Sequence, residues 1–156
     1  MRVIAISIIS LAACCAALAQ QGKTFASAAD VQALAEKAKQ TRKANQPTVS
    51  QPIIQFAPYS ANLESRNAVG PASIHEKEAE MFYVVEGSAT LVTGGKLVGE
   101  TRTGDNLSGT AIEGGTPRQV SKGDFVMVPE STAHWFSKID GTLQLMSIHL
   151  PHIAPK

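Results

Sequence analysis

The residues with most chemical potential in this chain are two histidines and one glutamate. His75 closes a candidate strand, the polar turn Glu76-Lys77-Glu78-Ala79 follows, and Glu80 opens the next strand. If the two strands form a hairpin, residues flanking its turn point inward together and place an imidazole and a carboxylate within reach of one ion. His134 follows a second turn, Pro129-Glu130-Ser131-Thr132-Ala133, and opens a later strand, so it can reach the same interior. Two neutral imidazoles and one carboxylate form a facial set with open positions, which suits Fe(II), Mn or Ni better than a closed structural zinc site. The cofactor expected at His75, Glu80 and His134 is therefore a divalent transition metal, Fe, Mn, Ni or Zn. Spacing alone is weak support, because an isolated histidine near a strand end is ordinarily a surface or hydrogen-bonded residue.

The other two histidines read more plainly. His149 lies on the last candidate strand, where it reads as half-exposed although it could be a further inward group, and His152 lies in a terminal tail and reads as solvated. Of the acidic run Glu76, Glu78 and Glu80, only Glu80 is expected to face the pocket. Phe82, Val84 and Phe136 alternate inward on their strands and are the candidate lining of a substrate pocket, shared with ordinary core filling. Tyr83 and Trp135 fall on the alternate faces, where outer packing or an interface is expected.

These groups need strands to hold them. From Pro52 onward, short runs of β-branched and aromatic residues are separated by Gly, Pro, Asn and Asp. Candidate strands are Ile53–Ala57, Ala61–Arg66, Ala72–His75, Glu80–Glu86, Ala89–Thr93, Lys96–Val98, Arg118–Val120, Phe125–Val128, His134–Ser137 and Thr142–His149. Gly94-Gly95 reads as a two-residue hairpin turn, and Gly99 to Thr116 as a long functional or mobile loop. The run Met81–Val85 has no polar face, so both of its faces must be covered. A barrel interior can cover one, and an N-terminal helix or a second subunit the other, which points to a homodimer.

One helix is expected ahead of the strands. Ser27-Ala28-Ala29-Asp30 has the form of a capping box, and Val31, Leu34, Ala35 and Ala38 then fall on one stripe. Lys37, Lys39, Arg42 and Lys43 crowd its far end, where cations suit the helix dipole and read as a solvated end. Asn45 and Pro47 stop it. The fold class is thus all-β after an N-terminal helix.

The first 19 residues differ from the rest. Sixteen of them are hydrophobic and only Arg2 is charged. With the basic start, the apolar run Val3–Ala13 and the small-residue site Ala17-Leu18-Ala19, residues 1–19 read as a secretion signal. Residues 20–51 are then leader and helix, and 52–152 the β-domain. Export across an inner membrane into the periplasm is expected. Leu11-Ala12-Ala13-Cys14 also resembles a bacterial lipobox, which would instead anchor the protein through a lipid on Cys14. Cleavage after Ala19 removes both cysteines, Cys14 and Cys15, and with them any disulfide, thiol or cysteine–zinc chemistry. The remaining 137 residues are about 38% hydrophobic and carry 13 basic and 13 acidic side chains without a block of either sign. That leaves no footprint for nucleic acid or for electrostatic membrane docking.

Two stretches resemble the paired motifs of the cupin superfamily. Gly123-Asp124-Phe125-Val126-Met127-Val128-Pro129-Glu130-Ser131-Thr132-Ala133-His134 follows the family's pattern of Gly, five residues, Pro, one residue, Gly, two residues, His, with Ser131 in place of the inner Gly. Lys138 stands where the family has Asn. The other stretch is Glu80, six residues, then Gly87, with His75 ahead of it. Family members with all ligands have two histidines one residue apart before this Glu; here His75 is the second, Ser73 stands at the first, and Gly70 is not at the family's distance.

The resemblance covers about Ile53 to Leu150. It implies a small antiparallel barrel of jelly-roll type, frequently dimeric, with a ligand pocket at its mouth. Cupins include dioxygenases, isomerases, epimerases, lyases, sugar-binding and storage proteins, so fold alone does not select an activity. The expected function is an exported protein that binds a small molecule through its metal, as an oxygenase or isomerase. The alternative is a metal-free, non-catalytic module that binds a small molecule or sugar.

Overall fold

The computed structural model describes residues 22–152; the export segment and Cys14 lie outside the described residues. Helix α1 (Ala28–Thr41) starts at the expected capping box. Asp30 N donates to Ser27 Oγ at 3.2 Å, and Ser27 N donates to the Asp30 carboxylate at 2.8 Å. Its stripe is the expected one, with Ala38 fully buried and Val31, Leu34 and Ala35 half-buried. It packs against β1 (Thr48–Phe56) and β2 (Tyr59–Arg66). The helix ends at Thr41, before Asn45 and Pro47, and one of its terminal cations is not merely solvated. The Arg42 guanidinium donates to Gln46 O, Asn67 Oδ1, Ser65 O and Ser65 Oγ, which clamps the helix end to β2.

The rest is antiparallel sheet. Strand β3 is Ala72–His75, β4 Glu78–Thr93, β5 Lys96–Val98, β6 Thr101–Thr103, β7 Asn106–Gly109, β8 Ala111–Glu113, β9 Thr116–Ser121, β10 Phe125–Val128 and β11 His134–Pro151. Nine strands form one sheet, in which β1-β2-β11-β3-β7-β6 run in order while β4 pairs with β9, β10 and β11; β5 and β8 form a separate pair.

The ladder between β4 and β11 is the spine of this arrangement. One half runs from His134 opposite Thr93 to Asp140 opposite Ser88; the other half runs from Gln144 opposite Glu86 to His149 opposite Glu80 and beyond. Sequence patterning divides each of these long strands in two, because Gly87 in β4 and Asp140-Gly141-Thr142 in β11 look like turns. In the fold they bend both strands without interrupting them: the register shifts between Asp140 and Gln144, and Gly87 sits at φ 87°. A Cβ on Gly87 would stand 2.2 Å from Thr142 O, so only glycine lets the two backbones approach here.

Three further expectations change. Gly94 and Gly95 do have positive φ, 73° and 76°, but they close no hairpin: Thr93 pairs with Thr116 and His134, whereas Lys96 pairs with Glu113. They carry the chain from the large sheet to the small one. The segment Gly99–Thr116 is not a loop, because β6, β7 and β8 form within it by pairing with one another and with β3 and β5. Strands β3 and β4 do not pair as a hairpin either; β3 pairs with β7 and touches β11 through Ser73 and His134.

The inner face of the bent ladder holds the core, with Phe82, Val84, Ala89, Leu91, Val120, Val128, Phe136, Leu143 and Leu145 packed together. Burying each large side chain of this kind contributes about 1.5–3 kcal/mol. The outer face is apolar too. Phe125 and Met127 of β10 are exposed beside Tyr83 and Met81 of β4, and the Tyr83 and Phe125 rings lie 4.5 Å apart.

Candidate metal centre

At the Glu80 end of the ladder the structure brings His75, Glu80 and His134 together, with one ligand atom from each within 4.8 Å of the others. Glu80 enters from β4, His75 from the end of β3 and His134 from the start of β11. Glu80 Oε2 lies 3.3 Å from His75 Nε2 and 3.1 Å from His134 Nε2. The carboxylate is 4% exposed and His134 6%.

Two turns set this convergence. Ser131 N donates to His75 O at 2.8 Å, which ties the turn before His134 to the end of β3. Ser131 adopts φ 58°, the left-handed conformation that glycine takes without strain, which fits the glycine at this position in the motif that the sequence resembles. Gly94 N donates to Ala133 O at 2.8 Å and holds the other side of the same turn.

Each imidazole is oriented from behind. Asn106 Oδ1 lies 2.6 Å from His75 Nδ1, and Thr132 O lies 3.3 Å from His134 Nδ1. Both partners are acceptors, so each ring carries its proton on Nδ1 when neutral and turns a bare Nε2 toward Glu80, the arrangement that metal-ligating histidines ordinarily show. Asn106 sits on β7 opposite His75. The β6–β7 hairpin that carries it is strapped down by Arg102 on Glu76 at 2.7 and 2.9 Å, by Lys77 on Asp105 at 3.1 Å, and by Glu76 N donating to Asp105 O. Thus the stretch expected to be a loop supplies a positioning residue.

Burial by itself would push the Glu80 carboxyl up. The His134 and His75 imidazoles, with the Ser147 hydroxyl that donates to Oε1, outweigh it and hold the group well below the usual carboxylate range. Its hydrogen bond to Glu80 raises His75 to about 9, against burial and with help from Asn106 and the nearby Glu78 charge. A buried carboxylate so dependent on positive neighbours is one that a divalent ion satisfies, and two nitrogens with one oxygen fit such an ion.

Two residues read as peripheral in the sequence belong to this site. His149 faces inward, its ring 5.4 Å from that of His75, and Glu78 binds its Nδ1 at 2.9 Å. So Glu78 is not simply part of a solvated turn. The cause is the register His149↔Glu80, which no local pattern reveals. His152 is half-exposed and pairs with Glu130 at 2.7 Å. The expected pocket residues Phe82, Val84 and Phe136 all lie in the core, and the Phe82 ring reaches both His134, at 5.9 Å, and Phe136, at 5.3 Å. Arg66 lies over the Phe136 ring at 4.8 Å and binds Glu64, a charged pair the sequence reading did not single out. Trp135, on the other face, donates to Gly70 O at 2.9 Å.

Neither a family model nor a curated protein matches the sequence. Solved structures do match the fold. KdgF from Halomonas sp. is 18% identical, with 72% of this chain and 87% of that one covered at a TM-score of 0.52. The Cnp3 cupin domain of Schizosaccharomyces pombe is 13% identical, with 72% and 71% covered and a TM-score of 0.52. HppE in its Fe(II) form is 14% identical, with 70% of this chain and 54% of HppE covered at a TM-score of 0.53. The chain has the cupin fold: a jelly-roll of antiparallel strands with one helix at its N-terminal side. Among the described residues, no helix is long and apolar enough to cross a membrane.

Proposed function

We propose that this chain is an exported cupin that binds a small molecule beside a divalent transition metal held by His75, Glu80 and His134. The observation that carries the reading is the convergence of two Nδ1-anchored imidazoles on one buried carboxylate. The Fe(II) form of HppE, a protein of the same fold, supports a metal of this kind. When bound, the ion would act as a Lewis acid or hold substrate at its open positions. The chain's own contribution is to fix the donor geometry, to exclude bulk water with Phe82 and the core behind it, and to keep Glu80 ionised. The reaction class that suits such a site is oxidation or isomerisation of a small oxygenated compound.

Ser73 favours one alternative, a metal-free module that reads its ligand by hydrogen bonds, because it leaves His75 without the neighbouring histidine of complete cupin sites. Metal analysis of protein purified without an affinity tag separates the two. About one transition metal per chain is expected, as for a preformed site; no uptake even after reconstitution refutes the metal reading. Two further elements of the proposal have their own tests. The outer patch of Phe125 and Met127 is the surface for a second copy, checked by sedimentation equilibrium of the wild type against Phe125→Asp. Export with cleavage after Ala19 yields a mature chain beginning at Gln20, whereas a lipid anchor leaves an acylated Cys14; mass spectrometry of the N-terminus distinguishes them.

A further inference from the structure

The sequence supplies two histidines where complete cupin sites have three, yet three imidazoles surround Glu80. His149 Nε2 lies 3.6 Å from Glu80 Oε1, and its ring meets His75 edge-on. All three rings share one design. The Nδ1 of each faces an acceptor behind it, Asn106 Oδ1, Thr132 O or the Glu78 carboxylate, and the Nε2 of each is turned toward Glu80. For His149 the backing group is a carboxylate, a partner that fixes the tautomer and orientation of a ligating imidazole. Ser73, at the position of the absent histidine, pairs directly with His134 across β3 and β11 and has only a short hydroxyl to offer.

We propose that His149 supplies the third nitrogen ligand of the metal centre, entering from the last strand to replace the imidazole missing at Ser73. The inference rests on the metal reading of this site and deepens it. His149 Nε2 rests 3.2 Å from Ser147 Oγ, beside the carboxylate oxygen opposite the one that His75 and His134 share. His149 stands outside the set of donor atoms that lie within 4.8 Å of one another, so ligation asks for its ring to turn from Ser147 to the ion while Glu78 keeps its hold on Nδ1. The result is a set of three imidazoles and one carboxylate drawn from β3, β4 and both ends of β11, with Glu78 as the positioning residue behind the relocated ligand.

Spin-echo EPR of the Cu(II)-loaded protein counts coupled imidazoles directly. Three are expected in the wild type and two in His149→Ala, with at least a tenfold loss of Co(II) affinity in chelator competition. His149→Gln, which keeps a similar shape and a hydrogen-bond donor for Glu78, is measured beside it so that a folding defect in the alanine variant does not decide the result. Adding Ser73→His to either variant is expected to restore the third imidazole. An unchanged imidazole count and affinity in folded His149→Gln overturn the assignment and leave the two-histidine centre standing. A wild type that takes up neither ion overturns the metal reading and this inference with it.

Discussion

The β4–β11 ladder carries the same kind of polar group in opposite surroundings near one end and at its bend. At one end Glu80 is bound by the Ser147 hydroxyl and faced by imidazoles. At the bend Asp140, opposite Ser88, is bound by the Ser88 hydroxyl at 3.1 Å, by Gln119 at 3.3 Å and by Lys138 at 2.8 Å. Their surroundings separate them: the Glu80 side chain is 5% exposed, whereas those of Asp140 and Lys138 are 36% and 69% exposed. Water screens the Asp140 cluster and makes it nearly dispensable. At Glu80 little water is left to share the charge, so the surrounding groups govern its protonation and its appetite for a cation. Burial, more than the inventory of contacts, makes the Glu80 region a candidate site and the Asp140 region a surface.

Substitutions can test that contrast. Gly87 sets the bend between the two halves of the ladder, and Gly87→Ala is expected to cost about 3 kcal/mol through backbone strain and the clash with Thr142 O, read as a drop in the denaturation midpoint. A midpoint near that of the wild type would show that the ladder tolerates a rearranged bend. At the buried end, Glu80→Gln is expected to reduce bound metal from about one per chain to a trace by elemental analysis, while Asp140→Asn leaves it unchanged. Equal metal content in the two variants would erase the distinction. Asn106→Ala, which frees His75 Nδ1, is expected to weaken metal affinity by about 10- to 100-fold with the fold intact; unchanged affinity would mean that Asn106 does not position the ring.

The smallest effect concerns pH in chelator-treated protein. His75 is raised to about 9 from 6.5, so its contribution to stability is complete below about pH 6.5 and is lost as pH rises through 9. Glu80 is lowered from 4.5, so its contribution is present above about pH 4.5 and is lost as pH falls toward the depressed value. Thermal melts should therefore show Tm falling by a few degrees between pH 6.5 and 9.5. The slope should flatten in Glu80→Gln and persist in Asp140→Asn. A wild-type slope retained in Glu80→Gln would mean that the pair does not govern it.

Local rules made much of this readable in advance. The capping box and the apolar stripe placed α1 because both depend on residues three or four apart. Strands β3, β5 and β10 kept their expected limits because Gly, Pro and charged turns bound short β-branched or aromatic runs. The long strands were cut too short, since Gly87 and Gly141 signal turns locally and become bends only when the partner strand continues past them. Likewise β6–β8 were hidden by polar composition, which cannot distinguish a loop from a solvated strand whose partners lie elsewhere in the chain.

His75, Glu80 and His134 could be nominated from the sequence because each stands beside a turn whose residues advertise themselves. Asn106, Glu78 and His149 could not, because their roles depend on pairing between segments about 30 to 70 residues apart. A strand's sequence sets which side chains share a face, but its register with a distant partner is fixed by the packing of the whole sheet. The sequence by itself thus determined the helix, the all-β character and the chemical types of the donors. The tertiary structure alone decided that His149 stands opposite Glu80, since only the completed β4–β11 ladder brings those two positions into line.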